Sequence, residues 1–165
     1  MIKDLIERLK QAQIVHKGPV ELKNAGISAH YIDIKEAYGD PQLFFLICEY
    51  LREKIPSETT CIAAAGYGGI PLAAKLSGLY RRLTLVRDEP KEYGKGGWLD
   101  GHMPSSKDKI AIVDDVCTTG SSLRKIMEAL RPTGAEVLGC YVVVKRGDVN
   151  LSVPISYLMT AEELL

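Results

Sequence analysis

The segment from Ile110 to Leu123 constrains the fold more than any other part of the chain. It opens with an apolar, largely β-branched run, Ile110 to Val113, which is too short for a helix and typical of a buried parallel strand. Two carboxylates, Asp114 and Asp115, follow where that strand is expected to end. The small residues Thr118 to Ser122 come next, and apolar side chains at helical spacing follow them. The segment therefore predicts a strand, an acidic pair, a loop and a helix.

This order of residue types predicts a ligand site. Backbone N–H groups and hydroxyls at the start of a helix can hold a phosphate, and the helix dipole favours the negative charge. The acidic pair would repel a phosphate, so it is expected to face sugar hydroxyls, a metal ion, or both. Taken singly, an Asp-Asp pair is commonly a turn or a helix cap, and a Thr-Gly-Ser run is commonly only a loop. Their combination favours a binding function.

Strand and helix patterns alternate along the rest of the chain, which predicts an α/β fold. We expect a doubly wound, mostly parallel sheet with helices on both faces, in one domain spanning residues 1–165. The predicted strands are Val20–Leu22, Tyr31–Ile34, Thr60–Ala65, Arg82–Val86, Ile110–Val113, Val137–Val144 and Ile155–Leu158. The predicted helices are an N-terminal one with the apolar stripe Ile2, Leu5, Ile6 and Leu9, then Pro41–Lys54, Pro71–Ser77 and Ser121–Leu130.

Ligands of such sheets bind outside the carboxyl ends of the strands, where two further loops are predicted. Gly66 to Gly69 follow a core strand, and they predict either a tight turn or a close backbone approach to an anion. The segment 87–102 lacks hydrophobic periodicity and is long for a connection in a compact domain. Its cations Arg87, Lys91 and Lys95 favour a lid that closes over a polyphosphate and excludes water, rather than a disordered linker.

Composition excludes several function classes. The 165 residues carry 21 basic and 21 acidic side chains, and this balance argues against a general nucleic-acid or membrane-surface binder. No apolar run approaches membrane-spanning length, and the first residues predict an amphipathic helix rather than a signal peptide. The four scattered cysteines are expected to be core thiols of a reduced cytoplasm, although Cys117 could be partly exposed in the loop. The three histidines show no metal-ligand spacing.

The acidic segment resembles the phosphoribosyl diphosphate (PRPP) signature of type I phosphoribosyltransferases at every position. The chain has no Walker-type phosphate loop, and its Gly66–Pro71 stretch departs from the dinucleotide pattern at Pro71. Three further segments, Leu22–Asp33, Ala65–Pro71 and Arg87–Gly94, are similar to the orotate phosphoribosyltransferase family. This resemblance is collinear from about Val20 to Arg146. It implies Mg²⁺-dependent transfer of the phosphoribosyl group from PRPP to orotate in pyrimidine synthesis.

The resemblance also assigns site residues. It implies catalytic roles for Lys91, Asp114 and Asp115, and it implies that Mg²⁺ is held mainly through PRPP and not by a protein metal site. The implied PRPP contacts are Tyr67, Gly68, Arg87, Lys91, Tyr93, Asp114, Asp115, Thr118, Thr119, Gly120, Ser121 and Ser122. The implied orotate contacts are Lys23, Tyr31, Thr118 and Arg146, with Ile32 on the same strand of the base pocket.

The family's architecture implies a small N-terminal hood, about residues 1–40, and a homodimer whose lid, 87–102, reaches the partner's site. Two alternatives stay open: a purine-base phosphoribosyltransferase, and a non-catalytic PRPP-sensing regulator. A regulator would need a DNA-binding domain or a basic face, whereas a purine would leave a carboxylate-binding pocket without a use. The chain differs from the family pattern at four places. Asp88 stands where the family commonly has a basic residue, and Tyr93 where some members have a histidine. Lys145 stands where an acidic residue often occurs, and the Lys23–Gly26 turn is lengthened.

Overall fold

The computed structural model describes residues 2–22, 26–92 and 97–165. Its centre is a six-stranded sheet in the order β5-β4-β3-β6-β7-β8, and a two-stranded sheet, β1-β2, stands apart from it. The strands are β1 (Val15–Leu22), β2 (Gly26–Ile32), β3 (Cys61–Ala65), β4 (Arg82–Lys91), β5 (Gly97–Gly101), β6 (Lys109–Cys117), β7 (Glu136–Lys145) and β8 (Ile155–Thr160). The helices are α1 (Ile2–Gln11), α2 (Pro41–Lys54), α3 (Gly66–Ser77), α4 (Ser121–Leu130) and α5 (Ala161–Leu164), with 3₁₀ helices at Ile34–Gly39 and Arg131–Thr133.

The large sheet confirms the predicted doubly wound α/β fold. Strands β4, β3, β6, β7 and β8 run parallel, and only the edge strand β5 pairs antiparallel, with β4. The carboxyl ends of the parallel strands therefore meet at one edge, which is where a ligand site is expected in this class of fold.

Both faces of the sheet are buried, and the residues of β6 show how. Ala111 and Val113 pack into the core cluster formed with α1, α2 and α3. Ile110 and Ile112 point to the opposite face and pack in the cluster formed with α4. Since successive side chains of a strand alternate between faces, a continuous apolar run is required where both faces are covered.

The N-terminal elements confirm the predicted helix stripe, and we call the described residues 2–22 and 26–39 the hood. Leu5, Ile6 and Leu9 of α1 are buried, and α1 packs against α2 and α5. The antiparallel strands β1 and β2 carry the chain to the 3₁₀ helix Ile34–Gly39, which contacts α3 and β6. The hood thereby reaches the edge of the sheet at which the parallel strands end.

Two of the predicted boundaries were wrong, because β6 and α3 are both longer than the sequence pattern indicates. The strand predicted to end at Val113 continues to Cys117, since Val116 and Cys117 pair with Val144 and Lys145 of β7. The helix predicted from Pro71 begins at Gly66, so the expected glycine loop is instead the first turn of α3.

The segment 87–102, predicted to be a lid loop, differs from that prediction in its secondary structure. Its described residues form strand rather than irregular loop: β4 continues to Lys91 and pairs with β5 between Thr84↔Gly101 and Lys91↔Gly97. The polar side chains of this segment have no hydrophobic alternation, so the pairing depends on backbone hydrogen bonds that a side-chain pattern does not reveal. We call residues 87–92 and 97–101 the arm.

The cysteines are buried, unpaired thiols, as predicted for a reduced protein. Cys117 is the last residue of β6 and packs in the α4-side core, so the alternative of partial exposure does not apply. In the described ranges, no helix combines the length and the apolar character needed to cross a bilayer.

A buried carboxylate, Asp108, holds together the edge of the sheet at which the parallel strands begin, opposite their carboxyl ends. Asp108 is only 2% exposed, and it accepts hydrogen bonds from the Ser105 N–H at 2.9 Å and the Thr60 hydroxyl at 3.1 Å. His102 Nε2 and Arg82 Nη1 lie 3.1 and 3.4 Å from its two oxygens. Burial works to raise the pKa of Asp108, but the bonds from Ser105 and His102 outweigh it and lower the pKa to about 2.

We predict that Asp108→Asn lowers the free energy of unfolding by about 2 kcal/mol at pH 7, because buried donors lose a charged acceptor. Since the folded pKa lies below the ordinary value, this stabilisation is complete above about pH 4 and is lost as the pH falls toward 2. Urea unfolding of both proteins across this range measures it. A difference in stability that stays constant from pH 7 to pH 2 would contradict the role assigned to the ionised carboxylate.

Candidate active site

Four chain segments meet at the carboxyl edge of the parallel strands. They are the first turn of α3, which follows β3, the end of β6 with the loop 118–120, Arg146 after β7, and the 3₁₀ helix of the hood. Most of the residues predicted from the PRPP signature lie here. The acidic pair lies inside β6 and not beyond it, which fixes its backbone in the sheet.

The two carboxylates of the pair occupy different environments. Asp114 is buried, and its Oδ1 accepts a hydrogen bond from the N–H of Asp115 at 2.9 Å. Asp115 is half-buried, and its Oδ1 accepts from the N–H of Val116 at 2.8 Å. Burial, and then the adjacent negative charge of Asp115, raise the pKa of Asp114 well above its ordinary value.

The first turn of α3 lies directly on the acidic pair. A methyl group at Gly68 would overlap the carboxylate of Asp115, and one at Gly69 would lie 2.8 Å from the Val113 carbonyl oxygen. Glycine is thus required at both positions for the helix to approach β6 this closely. Tyr67, between Gly66 and Gly68, is 91% exposed at the mouth of the site.

The hood contributes two side chains that the sequence pattern did not identify. Lys35 Nζ lies 2.6 Å from Asp33 Oδ1 and 3.9 Å from Asp115 Oδ2. Partial burial opposes its charge, but the bond to Asp33 and the charge of Asp115 together raise the pKa of Lys35. The Tyr38 hydroxyl donates to the Gly68 carbonyl at 2.7 Å, and burial raises its pKa.

The loop before α4 forms a small polar concavity. It is lined by Asp114, Val116, Cys117, Thr118, Gly120, Ser121, Ser122 and Leu123. Gly120 adopts a left-handed conformation, φ 77°, and a side chain there would meet Val149. The Thr119 hydroxyl donates to the Ser121 hydroxyl at 3.2 Å. The N-terminus of the ten-residue helix α4 therefore opens onto hydroxyls and backbone N–H groups, a combination suited to a phosphate.

Arg124 of α4 holds this loop through backbone carbonyls. Its Nη1 donates to the Thr119 carbonyl at 2.7 Å, and its Nη2 donates to the Asn150 carbonyl at 2.9 Å. The sequence interpretation assigned it no role, because its partners lie five and 26 residues away. Its position one helical turn after Gly120 was the available signal.

Arg146 lies between the loop and the hood. Its backbone N–H donates to the Cys117 carbonyl at 2.8 Å, which places it beside Thr118. Its guanidinium donates to the Ser28 hydroxyl at 2.7 Å and to the His30 carbonyl at 3.2 Å. Tyr31 follows on the same strand, its ring centroid 6.4 Å from that of His16. Lys23, the remaining predicted base contact, lies outside the described residues.

The predicted lid cations Arg87 and Lys91 lie on β4, in the arm. Arg87 Nε lies 2.6 Å from Asp100 Oδ2, and Lys91 is exposed at the end of β4. Neither is hydrogen-bonded or ion-paired to the acidic pair within the described ranges. At the base of the arm, Lys125 of α4 donates to the Asp88 carbonyl at 2.6 Å, and its Nζ lies 5.7 Å from the Trp98 ring centroid. Tyr93 lies outside the described residues.

The donor chemistry of the acidic pair suits a hard cation. Carboxylate oxygens are the protein ligands that Mg²⁺ prefers, and Mg²⁺ commonly takes one or two of them together with substrate phosphates. No group of three histidine, cysteine or carboxylate side chains able to hold a metal occurs among the described residues. By the chemistry of their oxygens, Asp114 and Asp115 fit a hard cation.

Comparison with known proteins gives a consistent result. Residues 36–153 match the family described as Phosphoribosyl transferase domain. The chain is 35% identical over 143 residues to an orotate phosphoribosyltransferase of Methanocaldococcus jannaschii, covering 86% of this chain and 81% of that one. It is 32% identical over 169 residues to the orotate phosphoribosyltransferase of Haloquadratum walsbyi, covering 98% and 91%. The crystal structure of orotate phosphoribosyltransferase from Aeropyrum pernix matches with TM-score 0.77 and 26% identity, covering 97% and 95%.

We predict that Gly68→Ala weakens PRPP binding at least about tenfold, because the added methyl group displaces the Asp115 carboxylate from the site. Gly39→Ala is the matched control, since a side chain at Gly39 meets no atom within 4 Å. Isothermal titration with PRPP and Mg²⁺ measures both affinities. Equal PRPP affinity in the two variants would mean that the contact between α3 and β6 does not set the geometry of the site.

Proposed function

The chain belongs to the orotate phosphoribosyltransferase family, and we propose that it carries out that family's reaction. The reaction transfers the 5-phosphoribosyl group from PRPP to orotate and gives orotidine 5-monophosphate and diphosphate, a step of pyrimidine nucleotide biosynthesis. Relatives of this name cover most of the chain at 31–35% identity. We propose further that residues 1–165 form one phosphoribosyltransferase domain.

One arrangement supports this reaction above all: the acidic pair at the end of β6 lies between the first turn of α3 and the loop that opens α4. We propose that Thr118, Thr119, Gly120, Ser121 and Ser122 bind the 5-phosphate, since the positive end of α4 and the loop hydroxyls suit an anion. The sugar would then extend toward Asp114 and Asp115. Tyr67 and Gly68, on the opposite wall, are proposed to face the diphosphate.

Loss of diphosphate leaves positive charge on the ribose, so groups that stabilise charge on either side of the breaking bond speed the reaction. We propose that Asp115 and Asp114 orient the ribose hydroxyls and stabilise the developing positive charge. Mg²⁺, when bound through the diphosphate and the ribose hydroxyls, would neutralise the departing anion. Arg87, Lys91 and Tyr93 of the lid segment are proposed to close over the diphosphate and exclude water.

The base pocket is proposed to lie between β2 and the loop, with Arg146, Thr118, Tyr31 and Lys23 as its polar contacts. The guanidinium of Arg146 is the main support for an acidic base, since it can bind a carboxylate through two parallel hydrogen bonds. A purine base carries no carboxylate and would leave this charge unused. Orotate is already acidic, so no strong general base is required.

Assembly and location are proposals that rest on family membership. We propose a homodimer in which the arm of one chain serves the site of its partner, because Arg87 pairs with Asp100, Lys91 is exposed, and neither contacts the acidic pair through a hydrogen bond or ion pair among the described residues. A biosynthetic enzyme with four buried thiols suits the cytoplasm, and we propose that location. No nucleic acid or membrane partner is proposed.

We predict that the protein, with PRPP and Mg²⁺, releases diphosphate with orotate but not with adenine, hypoxanthine, xanthine or uracil. In the same assay, Arg146→Ala should raise the KM for orotate at least about tenfold, since a charged hydrogen-bond pair is lost. Its KM for PRPP should change less than about twofold, because Arg146 lies on the base side of the loop. Release of diphosphate, measured for all five bases, tests both statements.

The outcomes of this assay separate the alternatives. Turnover with a purine and not with orotate would establish the purine-base reading instead. Binding of PRPP without turnover of any of the five bases would favour a PRPP-sensing regulator. An unchanged orotate KM in the Arg146 variant would remove Arg146 from the base pocket while leaving the PRPP chemistry intact.

We predict that mixing two inactive variants, Lys91→Ala and Asp115→Asn, restores about a quarter of full activity. If chains exchange randomly, half of the dimers are hybrids, and each hybrid has one site with both residues intact. The measurement is orotate turnover before and after subunit exchange.

Lys91→Ala mixed with Arg87→Ala is the matched control for this exchange. Both substitutions lie on the arm, so every site of their hybrid keeps one defect and no activity should return. Recovery in neither mixture, with hybrid dimers demonstrated by mass spectrometry, would mean that each arm closes over the site of its own chain.

A further inference from the structure

We propose that Ser28 is a positioning residue for base recognition: it holds the guanidinium of Arg146 in the orientation that binds the carboxylate of orotate. The inference rests on the proposed function, and it adds a specificity-determining role for a residue of the hood. Ser28 belongs to β2, and 118 positions separate it from Arg146, yet their side chains are directly hydrogen-bonded.

The hydroxyl of Ser28 has only one orientation that satisfies its partners. The side chain is buried, with 7% of the residue exposed. Its O–H donates to the His30 carbonyl at 2.7 Å, and its oxygen accepts from the His30 N–H at 3.2 Å and from Arg146 Nη2 at 2.7 Å. A hydroxyl has one donor and two acceptor positions, and all three are used here. The two hydrogen bonds between Ser28 and the backbone of His30 therefore fix the oxygen lone pair that faces Arg146.

The side chain of Arg146 is held at both ends. Its backbone N–H donates to the Cys117 carbonyl, and its Nη1 and Nη2 donate to the His30 carbonyl and the Ser28 hydroxyl. A guanidinium has five N–H donors, so three have no partner among the residues that the structure describes: Nε–H and one on each terminal nitrogen. Because the rotamer is already fixed, a bound carboxylate does not have to order this long side chain.

The chemistry of the groups that bind Arg146 favours a role in recognising an anionic ligand over a structural ion pair. Both hood acceptors of Arg146, a hydroxyl and a carbonyl, are neutral. They orient the guanidinium without neutralising its positive charge, and that charge is free to attract an anion. A carboxylate in place of Ser28 would orient Arg146 equally well but would compete with the carboxylate of the base. Serine at this position therefore combines orientation with an intact charge.

The test compares Ser28→Ala with Ser77→Ala, a matched loss of a buried serine hydroxyl. Ser77 lies at the end of α3, is 8% exposed, and donates to the Ala74 carbonyl at 2.9 Å. We expect Ser28→Ala to raise the KM for orotate about tenfold, as for one hydrogen bond to a charged group, and to change the KM for PRPP less than about twofold. Ser77→Ala should change neither KM by more than about twofold.

Two further variants keep the test decisive if Ser28→Ala does not fold. Ser28→Thr retains the hydroxyl and should keep an orotate KM within about threefold of the unmodified protein. Ser28→Cys retains the size but offers a weak acceptor, and should raise the orotate KM. Equal orotate KM values in the Thr and Cys variants would overturn the proposal.

A double-variant cycle separates this inference from the proposed function. If Ser28 acts through Arg146, Ser28→Ala should add no further increase in orotate KM when Arg146 is already alanine. An additional increase of the same size in that background would overturn the positioning role. If Arg146→Ala raises the orotate KM and Ser28→Ala does not, the inference fails alone. If Arg146→Ala has no effect on orotate, the assigned base pocket fails, and the inference fails with it.

Discussion

The close approach of α3 to the end of β6 is the constraint on which the rest of the site depends. Gly68 and Gly69 have no side chains to hold the two elements apart, so the carboxylate of Asp115 lies against the first turn of the helix. The positive end of a helix favours a carboxylate at this place. Tyr38 then ties the Gly68 carbonyl to the hood. The acidic pair is thus positioned by a packed helix and a strand, which hold side chains more rigidly than a loop does.

Electrostatics explains why such a pair suits a cation and a sugar rather than a phosphate. Two opposite unit charges 3.9 Å apart, the distance between Lys35 Nζ and Asp115 Oδ2, attract each other by about 4 kcal/mol at an effective dielectric constant near 20. Lys35 is about one-third exposed, so solvent screening reduces its attraction for Asp115 to about 1 kcal/mol or less. Lys35 therefore orients Asp115 without neutralising it. The phosphate of a substrate is expected at the loop before α4, where N–H groups and hydroxyls line most of the concavity and Asp114 lies at its β6 side.

The sequence predicts best those features that depend on side-chain periodicity and on local order. The buried run of β6, the acidic pair and the helix from Ser121 follow from residues close together in the chain, and all are present. The predicted start of α3 and the predicted end of β4 were wrong, because the Gly66–Gly69 stretch was interpreted as a loop and because β4 continues through backbone pairing with β5. Lys35 and Arg124 were missed for a related reason: each has one partner that is distant in sequence, Asp115 and Asn150 respectively, and only the folded chain brings these together.

Three proposed parts of the site meet around the loop 118–120 and the first two turns of α4. Arg146, of the proposed base pocket, is hydrogen-bonded to the carbonyl of Cys117, which precedes the loop. Arg124 holds the loop itself through the carbonyl of Thr119. Lys125, the next residue, holds the base of the arm through the Asp88 carbonyl. The contacts of Arg146 and Arg124 use backbone carbonyls, so they depend on the path of the chain, whereas Lys125 also lies 3.4 Å from the Asp88 carboxylate. We therefore expect a substitution that shifts the path of the chain at Cys117–Thr119 to disturb both the proposed base pocket and the proposed phosphate loop.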